Sequence, residues 1–206
     1  MVYGIDVDGV LTDIWLYQMN KAIPYFKKHN IELKHEKEYD IKDIFECTDK
    51  QREKFWLIYI WEYCLRLKMT DGAAETVRIL KQKGNQIYII TGRAHTKEKG
   101  VVGFIFRKML KYWLRKNKFV YDKIFYVTEE GSSEEKYNIC IQENIDVLVD
   151  DKPTNLLPLK DKLKIVCFPA KWNEDNHDLD KYRIKCFEDL LLSLIHISEP
   201  TRRSYI

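Results

Sequence analysis

Two aspartates one residue apart, Asp6 and Asp8, follow a short apolar run at residues 2–7 and lead into Gly9. A chain leaving an extended strand can point both carboxyl groups the same way, and acids so close repel unless a cation or a proton lies between them. A hard divalent ion with oxygen ligands, most simply Mg²⁺, answers that repulsion, and Gly9 lets the backbone approach a ligand closely. The same residues also fit an ordinary turn whose aspartates cap the next helix. Three further signals bear on the choice. Thr91-Gly92-Arg93 follows the apolar run 86–90 and offers a hydroxyl and exposed amides in a tight turn, an arrangement suited to phosphate. Asp150-Asp151 follows the run 145–149, so a second acidic pair can share the first pair's cation. Lys136 is the only basic residue between Glu129 and Asn144 and can neutralise a phosphoryl group in the same crevice; the alternative is an exposed lysine paired with Glu134 or Glu135.

These residues need a frame that brings strand ends together. Short apolar runs at 2–7, 86–90, 123–127, 145–149 and 164–168 alternate with helical stretches, which predicts an α/β fold with a doubly wound parallel sheet covered on both faces. In such a sheet ligands bind outside the carboxyl ends of the strands, where all four signals lie. Asp71 is the expected N-cap of a helix through Gln82, stopped by Gly84. Val102, Ile105, Phe106, Met109, Leu110 and Trp113 mark an amphipathic helix whose basic outer face, 107–118, is expected to be solvated. A further helix is expected over 133–143. Residues 15–69 form a helical insertion, with Tyr17, Ile23, Phe26 and Ile31 suggesting one helix and Phe55, Ile58, Tyr59, Trp61, Leu65 and Leu67 another. The expected organisation is a catalytic core of residues 1–14 and 70–191 with a helical cap at 15–69. Residues 192–206 resemble the translation of a sequencing-library adapter and are expected to be a non-native tail, so His196 and Arg202 receive no function.

The ordered set Asp6-x-Asp8-Gly9-Val10, Thr91-Gly92-Arg93, Lys136 and Asp150-Asp151 resembles the haloacid dehalogenase-like hydrolase superfamily over about residues 1–190. Within it the insertion after the first motif, Gly72-Ala73 with Glu75, and the strings IITGR and LVDDKP are most similar to small bacterial nucleotidases of the 5′(3′)-deoxyribonucleotidase type. The opening DVDGVLTD also resembles sugar-acid phosphatases, which lack a sizeable insertion there. The resemblance implies that Asp6 is the nucleophile that forms an aspartyl-phosphate, and that Asp8 protonates the leaving alkoxide and then activates water. It implies that Thr91 bonds the phosphoryl group and that Lys136 holds its charge and that of Asp6. Mg²⁺ would lie on Asp6, the main-chain carbonyl of Asp8 and Asp150, with Asp151 beside or one shell behind. Gly92 and Arg93 join the expected substrate-binding residues. A receiver domain, whose lysine follows the last strand, fits the order of motifs less well, and a non-catalytic scaffold of the same fold remains the other alternative.

With only 44 residues between Thr91 and Lys136, substrate choice is expected to fall to the helical insertion. Its aromatics Trp15, Tyr17, Phe55, Trp56, Tyr59, Trp61 and Tyr63 could stack a base, although helical spacing also suits packing. Trp15 and Tyr17, just beyond the catalytic loop, are the preferred candidates. His29, His35, His95 and His177 lack metal-ligand spacing, and only His95 lies near enough to Thr91 to line a site. The 206 residues suit one core with an inserted subdomain, and 35 basic against 32 acidic residues leave a surplus of 3, too small for a nucleic-acid footprint. Cys47, Cys64, Cys140, Cys167 and Cys186 are scattered and form no C-x-x-C pair, so reduced thiols and a cytoplasmic location are expected. No uninterrupted apolar run reaches the ~18–20 residues of a membrane span. The expected partner is a small phosphate ester, a nucleotide first, with neither nucleic acid nor membrane.

Overall fold

The computed structural model describes residues 1–129 and 132–192; the proposed tail beyond Leu192, with His196 and Arg202, lies outside them. Five strands, β1 (Val2–Ile5), β2 (Gln86–Thr91), β3 (Lys123–Tyr126), β4 (Val147–Asp150) and β5 (Lys164–Cys167), pair in the order β3-β2-β1-β4-β5. Every pairing is parallel. The chain therefore runs outward from β1 to one side through β2 and β3, then returns to its other side with β4. The strand order reverses at β1, which opens a crevice at the carboxyl ends of β1 and β4.

Alternation along the strands divides the sheet into two buried faces. On one, Tyr3, Ile5, Ile87, Ile89, Val147 and Val149 meet α4 (Ala73–Gln82), α5 (Gly100–Lys116) and α8 (Asp189–Leu192). On the other, Tyr88, Ile90, Leu148 and Ile165 meet α6 (Ser132–Gln142) and α7 (Pro153–Leu156). Burial on both faces explains why the strands read as continuous apolar runs.

Between β1 and α4 stand α1 (Ile14–Lys27), α2 (Ile41–Phe45) and α3 (Asp49–Arg66). Asp13 caps α1 through its carboxylate on the Leu16 amide at 2.8 Å. Thr48 and Gln51 form a reciprocal capping box on α3. The three helices hold their own apolar centre, in which Phe26 stacks on Phe45 and Phe55 at 4.6 and 5.9 Å between ring centroids. The insertion hangs from a narrow neck: Thr12 bridges Met69, and Thr70 bonds Leu11 O through its amide (2.9 Å) and Val10 O through its hydroxyl (2.7 Å).

Several local expectations shift. Gly72, with φ +77°, is the N-cap of α4 in place of Asp71, whose carboxylate pairs with Lys68 at 2.7 Å. The first insertion helix stops at Lys27, because Asn30 turns left-handed (φ 56°), so Ile31 lies beyond it and Ile23 faces solvent. In α3, Ile58 and Trp61 are exposed although they follow the apolar pattern. Arg107, on the basic face of α5, donates to Thr96 O and Glu98 O at 2.8 and 2.9 Å and so fastens the loop after β2. All five cysteines are free, four of them buried. Among the described residues no helix is long and apolar enough to cross a membrane.

Trp113 ties these parts together: it is fully buried on α5, and its indole N–H reaches Leu67 O, where the insertion returns to the core, at 2.7 Å. Trp113→Ala is expected to lower unfolding free energy by about 3–5 kcal/mol, the cost of a large buried aromatic, as read by urea denaturation.

Candidate active site

Asp6 directly follows β1, and its amide donates to Val149 O at 3.0 Å, so β4 fixes the point at which the chain turns out of the sheet. Its Oδ1 accepts from the Val7 amide at 2.7 Å, and its Oδ2 lies 2.9 Å from Lys136 Nζ. Lys136, on α6, is itself only 1% exposed and also holds Asp150 Oδ2 at 2.6 Å. Asp150 ends β4 and is further satisfied at Oδ1 by the Lys152 amide and Asn155 Nδ2, both at 2.9 Å. Burial opposes the charge on Lys136, but Asp150 and Asp6 outweigh it and keep the ammonium protonated.

Asp151 differs from its neighbours. It is fully buried, and neither carboxylate oxygen has a hydrogen-bond partner. Asn173 holds its backbone carbonyl at 2.6 Å, which fixes the residue without satisfying the side chain. Gly9, at φ +86°, passes so close that a Cβ there would overlap the Asp151 carboxylate. The requirement for glycine at this turn is therefore both conformational and steric.

Asp8 points elsewhere. Its Oδ1 accepts from Arg93 Nη1 at 2.6 Å, from the Tyr63 hydroxyl and from Thr12 Oγ1 at 3.3 Å. Burial, then the Asp8 charge, push the Tyr63 hydroxyl well above its ordinary range, so it is the donor. Arg93 is 2% exposed, lies over the Tyr63 ring at 4.4 Å and donates to Tyr63 O at 3.2 Å. Burial works against its charge, and Asp8 more than restores it. Thr91 is fully buried at the end of β2, its Oγ1 accepting from the Arg93 amide at 3.2 Å.

Four buried carboxylates (Asp6, Asp8, Asp150, Asp151) thus face two buried cations (Lys136, Arg93), leaving two negative charges when all are ionised. Oxygens of Asp6, Asp150 and Asp151 lie within 4.8 Å of one another. An all-oxygen set with an unpartnered carboxylate fits a hard divalent cation.

Above these charges lies a cavity of about 680 Å³, within the ~300–1,000 Å³ of small-molecule sites. Asp6, Asp8, Thr91, Gly92, Arg93 and Lys136 reach it from the core, and Ile14, Gln18, Trp56, Leu57, Ile60 and Trp61 from the insertion. Arg93 borders the cavity with Nη1 on Asp8 and Nη2 on Tyr63 O, while its Nε has no hydrogen-bond partner. Trp15 and Tyr17 do not line it. Trp15 donates its indole N–H to Glu36 O (2.8 Å), and buried Tyr17 packs on Tyr63 at 5.2 Å with its hydroxyl on Tyr59 O. Both positions turn their rings into packing because α1 shows the cavity its Ile14–Gln18 face. Phe55 and Tyr59 also pack within the insertion, whereas Trp56, Trp61 and Tyr63 line the cavity. His95 lines it too, in a left-handed turn (φ 60°) and paired with Glu98. Tyr39, Arg52, Glu129 and Asn155 are lining residues that the motifs did not mark, and Lys152 of the LVDDKP string lines the cavity too.

No family model matches the chain. A protein of Oceanobacillus iheyensis named "putative nucleotidase" is 28% identical over 185 residues, 85% of this chain and 90% of its own length. Among solved structures, a "putative haloacid dehalogenase-like hydrolase" from Bacteroides fragilis superposes with a TM-score of 0.64 at 15% identity, covering 92% of this chain and 98% of that one. The chain has the fold of haloacid dehalogenase-like hydrolases. Another member of that fold, D,D-heptose 1,7-bisphosphate phosphatase from B. bronchiseptica complexed with magnesium and phosphate, aligns with a TM-score of 0.52 at 11% identity over 96% and 99% of the two chains. These three proteins are thus named as a nucleotidase, a hydrolase and a phosphatase.

The crowded acids make the metal-free chain sensitive to pH. Burial first, then the charges of Asp150 and Asp6, raise Asp151 well above the carboxylate range, while Asp6 is pushed up to about 6, by burial first and by Asp150 and Asp8 against the opposing pull of Lys136. A folded carboxyl with a raised pKa binds its proton more tightly than the unfolded chain does, so its stability contribution is present at low pH and is lost as pH rises from about 4 through 6 and beyond. A divalent cation held among these carboxylates would remove that penalty. Millimolar Mg²⁺ is therefore expected to raise the melting temperature more at pH 7.5 than at pH 5, and Asp151→Asn to raise the metal-free melting temperature while abolishing the Mg²⁺ shift, all by scanning fluorimetry.

Proposed function

We propose that the chain is a divalent-cation-dependent phosphomonoesterase that works through an aspartyl-phosphate on Asp6, with nucleoside monophosphates as its substrates. The observation that carries this reading is the buried Asp6–Lys136–Asp150 chain beside unpartnered Asp151 at the mouth of the sheet, directly under the cavity. Phosphoryl transfer asks for positioning and charge neutralisation above all. Asp6, Asp150 and Asp151, with the main-chain carbonyl of Asp8, would hold a Mg²⁺ ion, which supplies countercharge for the phosphoryl oxygens. The magnesium and phosphate in the heptose bisphosphate phosphatase support that cation.

In the first step an Asp6 oxygen bonds phosphorus as the ester P–O bond breaks, and the leaving alkoxide takes a proton from Asp8. In the second, Asp8 takes a proton from water as that water attacks the aspartyl-phosphate, releasing phosphate and restoring Asp6. Lys136 keeps its charge beside Asp6 throughout, and Thr91 Oγ1 offers a hydroxyl to the transferred group. Arg93 from the core and Tyr63 from the insertion hold Asp8 in place between the two steps. The aromatic side chains Trp56, Trp61 and Tyr63 that the insertion sets along the cavity, and the nucleotidase name of the 28% identical relative, support a nucleotide over a sugar phosphate.

Inorganic phosphate released from nucleoside monophosphates and sugar phosphates tests the reading. Release is expected with Mg²⁺, not with chelator, and is expected to fall to background in Asp6→Asn; full turnover in that variant would overturn the mechanism. Tyr63→Phe, which frees Asp8 from one of its holders, is expected to slow nucleotide hydrolysis about tenfold, part of the ~10²–10⁴ that a positioned acid supplies. Its effect on p-nitrophenyl phosphate is expected to be smaller, because that leaving group departs without a proton.

A further inference from the structure

Gln18 is 2% exposed, its Oε1 has no partner, and it lines the cavity. A buried carboxamide left unsatisfied carries a desolvation cost that a native protein tolerates when a ligand completes it. Four positions earlier on the same helix, Ile14 lines the cavity too, directly after the catalytic loop. Gln18 therefore stands one helical turn, ~6 Å along the axis, beyond Ile14. The same cavity is lined by Trp56, Leu57, Ile60 and Trp61 of α3 and Phe106 of α5, beside the polar Tyr39, Asp40, Arg52 and Glu53. The aromatic part of that lining offers faces for contact with a heterocycle, and Gln18 offers an amide for its edge.

From this we infer that Gln18 is a specificity-determining residue that reads the hydrogen-bonding edge of a nucleobase, while Asp6 and Lys136 hold the phosphate. The inference rests on the phosphomonoesterase reading and deepens it. Each common base places an N–H donor beside an acceptor on its edge, and a carboxamide matches that pair. The residue therefore separates base-bearing from base-free esters rather than one base from another.

The experiment compares kcat and KM for adenosine, guanosine, cytidine and uridine 5′-monophosphates with those for ribose 5-phosphate, in wild type and in Gln18→Met, by phosphate release. The wild type is expected to favour at least one nucleotide over ribose 5-phosphate. Gln18→Met is expected to shrink that preference about three- to tenfold, the worth of one hydrogen bond, mainly through KM. A preference unchanged by the substitution overturns the inference, and so does a wild type that cleaves ribose 5-phosphate as well as every nucleotide; both leave the phosphatase reading standing. Absence of release from every ester in the wild type overturns that reading and this inference with it. If Gln18→Met does not fold, Gln18→Glu, which removes the donor and keeps an acceptor, carries the same comparison.

Discussion

Concentrated negative charge at the point where the sheet's strand order reverses is the constraint on which the rest depends. Asp6 and Asp150 end adjacent strands, and Asp151 follows at once, so the parallel pairing of β1 with β4 forces carboxylates together. Burying such groups without compensation costs several kcal/mol per ion. Lys136 bridges two of them, Asn155 and two backbone amides take up further oxygens, and Asp151 is left over. Gly9 has no side chain because the Asp151 carboxylate fills the space a Cβ would need. Two deep apolar layers offset this crowding.

The second organising contact is the grip on Asp8. Arg93 comes from the loop after β2 and Tyr63 from the inserted helices, so core and insertion meet on a single carboxylate. Trp113 supports both partners at once, lying 5.5 Å beneath the Arg93 guanidinium and bonding Leu67 O where the insertion rejoins the core. An acid held from both sides is sensitive to their relative position, which links the cavity lining on the insertion to the charged residues of the core.

Residues at strand ends were legible because each follows an apolar run in a parallel sheet, and that geometry alone sends Asp6, Thr91 and Asp150 to one edge. Lys136 could be picked out as a lone cation in its window, but its complete burial depends on α6 packing over the crevice. The lining of the cavity was far less legible. Trp15 and Tyr17 are near the motif in sequence and turn away from it in space, because helix phase outranks proximity. Gln18 did leave a trace: it is a polar residue on a helix face otherwise filled by Ile14, Tyr17 and Ala22. Tyr39 and Arg52 reach the site through tertiary packing and left no comparable mark.

The neck at Thr12, Met69 and Thr70 is only a few bonds wide, and both of its strands attach to the loop that carries Asp8. The insertion adds no strand to the sheet and is held besides by α3 packing on α5, where Ile60 and Tyr63 meet Phe106 and Met109. The strand ladder and the aromatic wall of the cavity are therefore set by separate stretches of the chain.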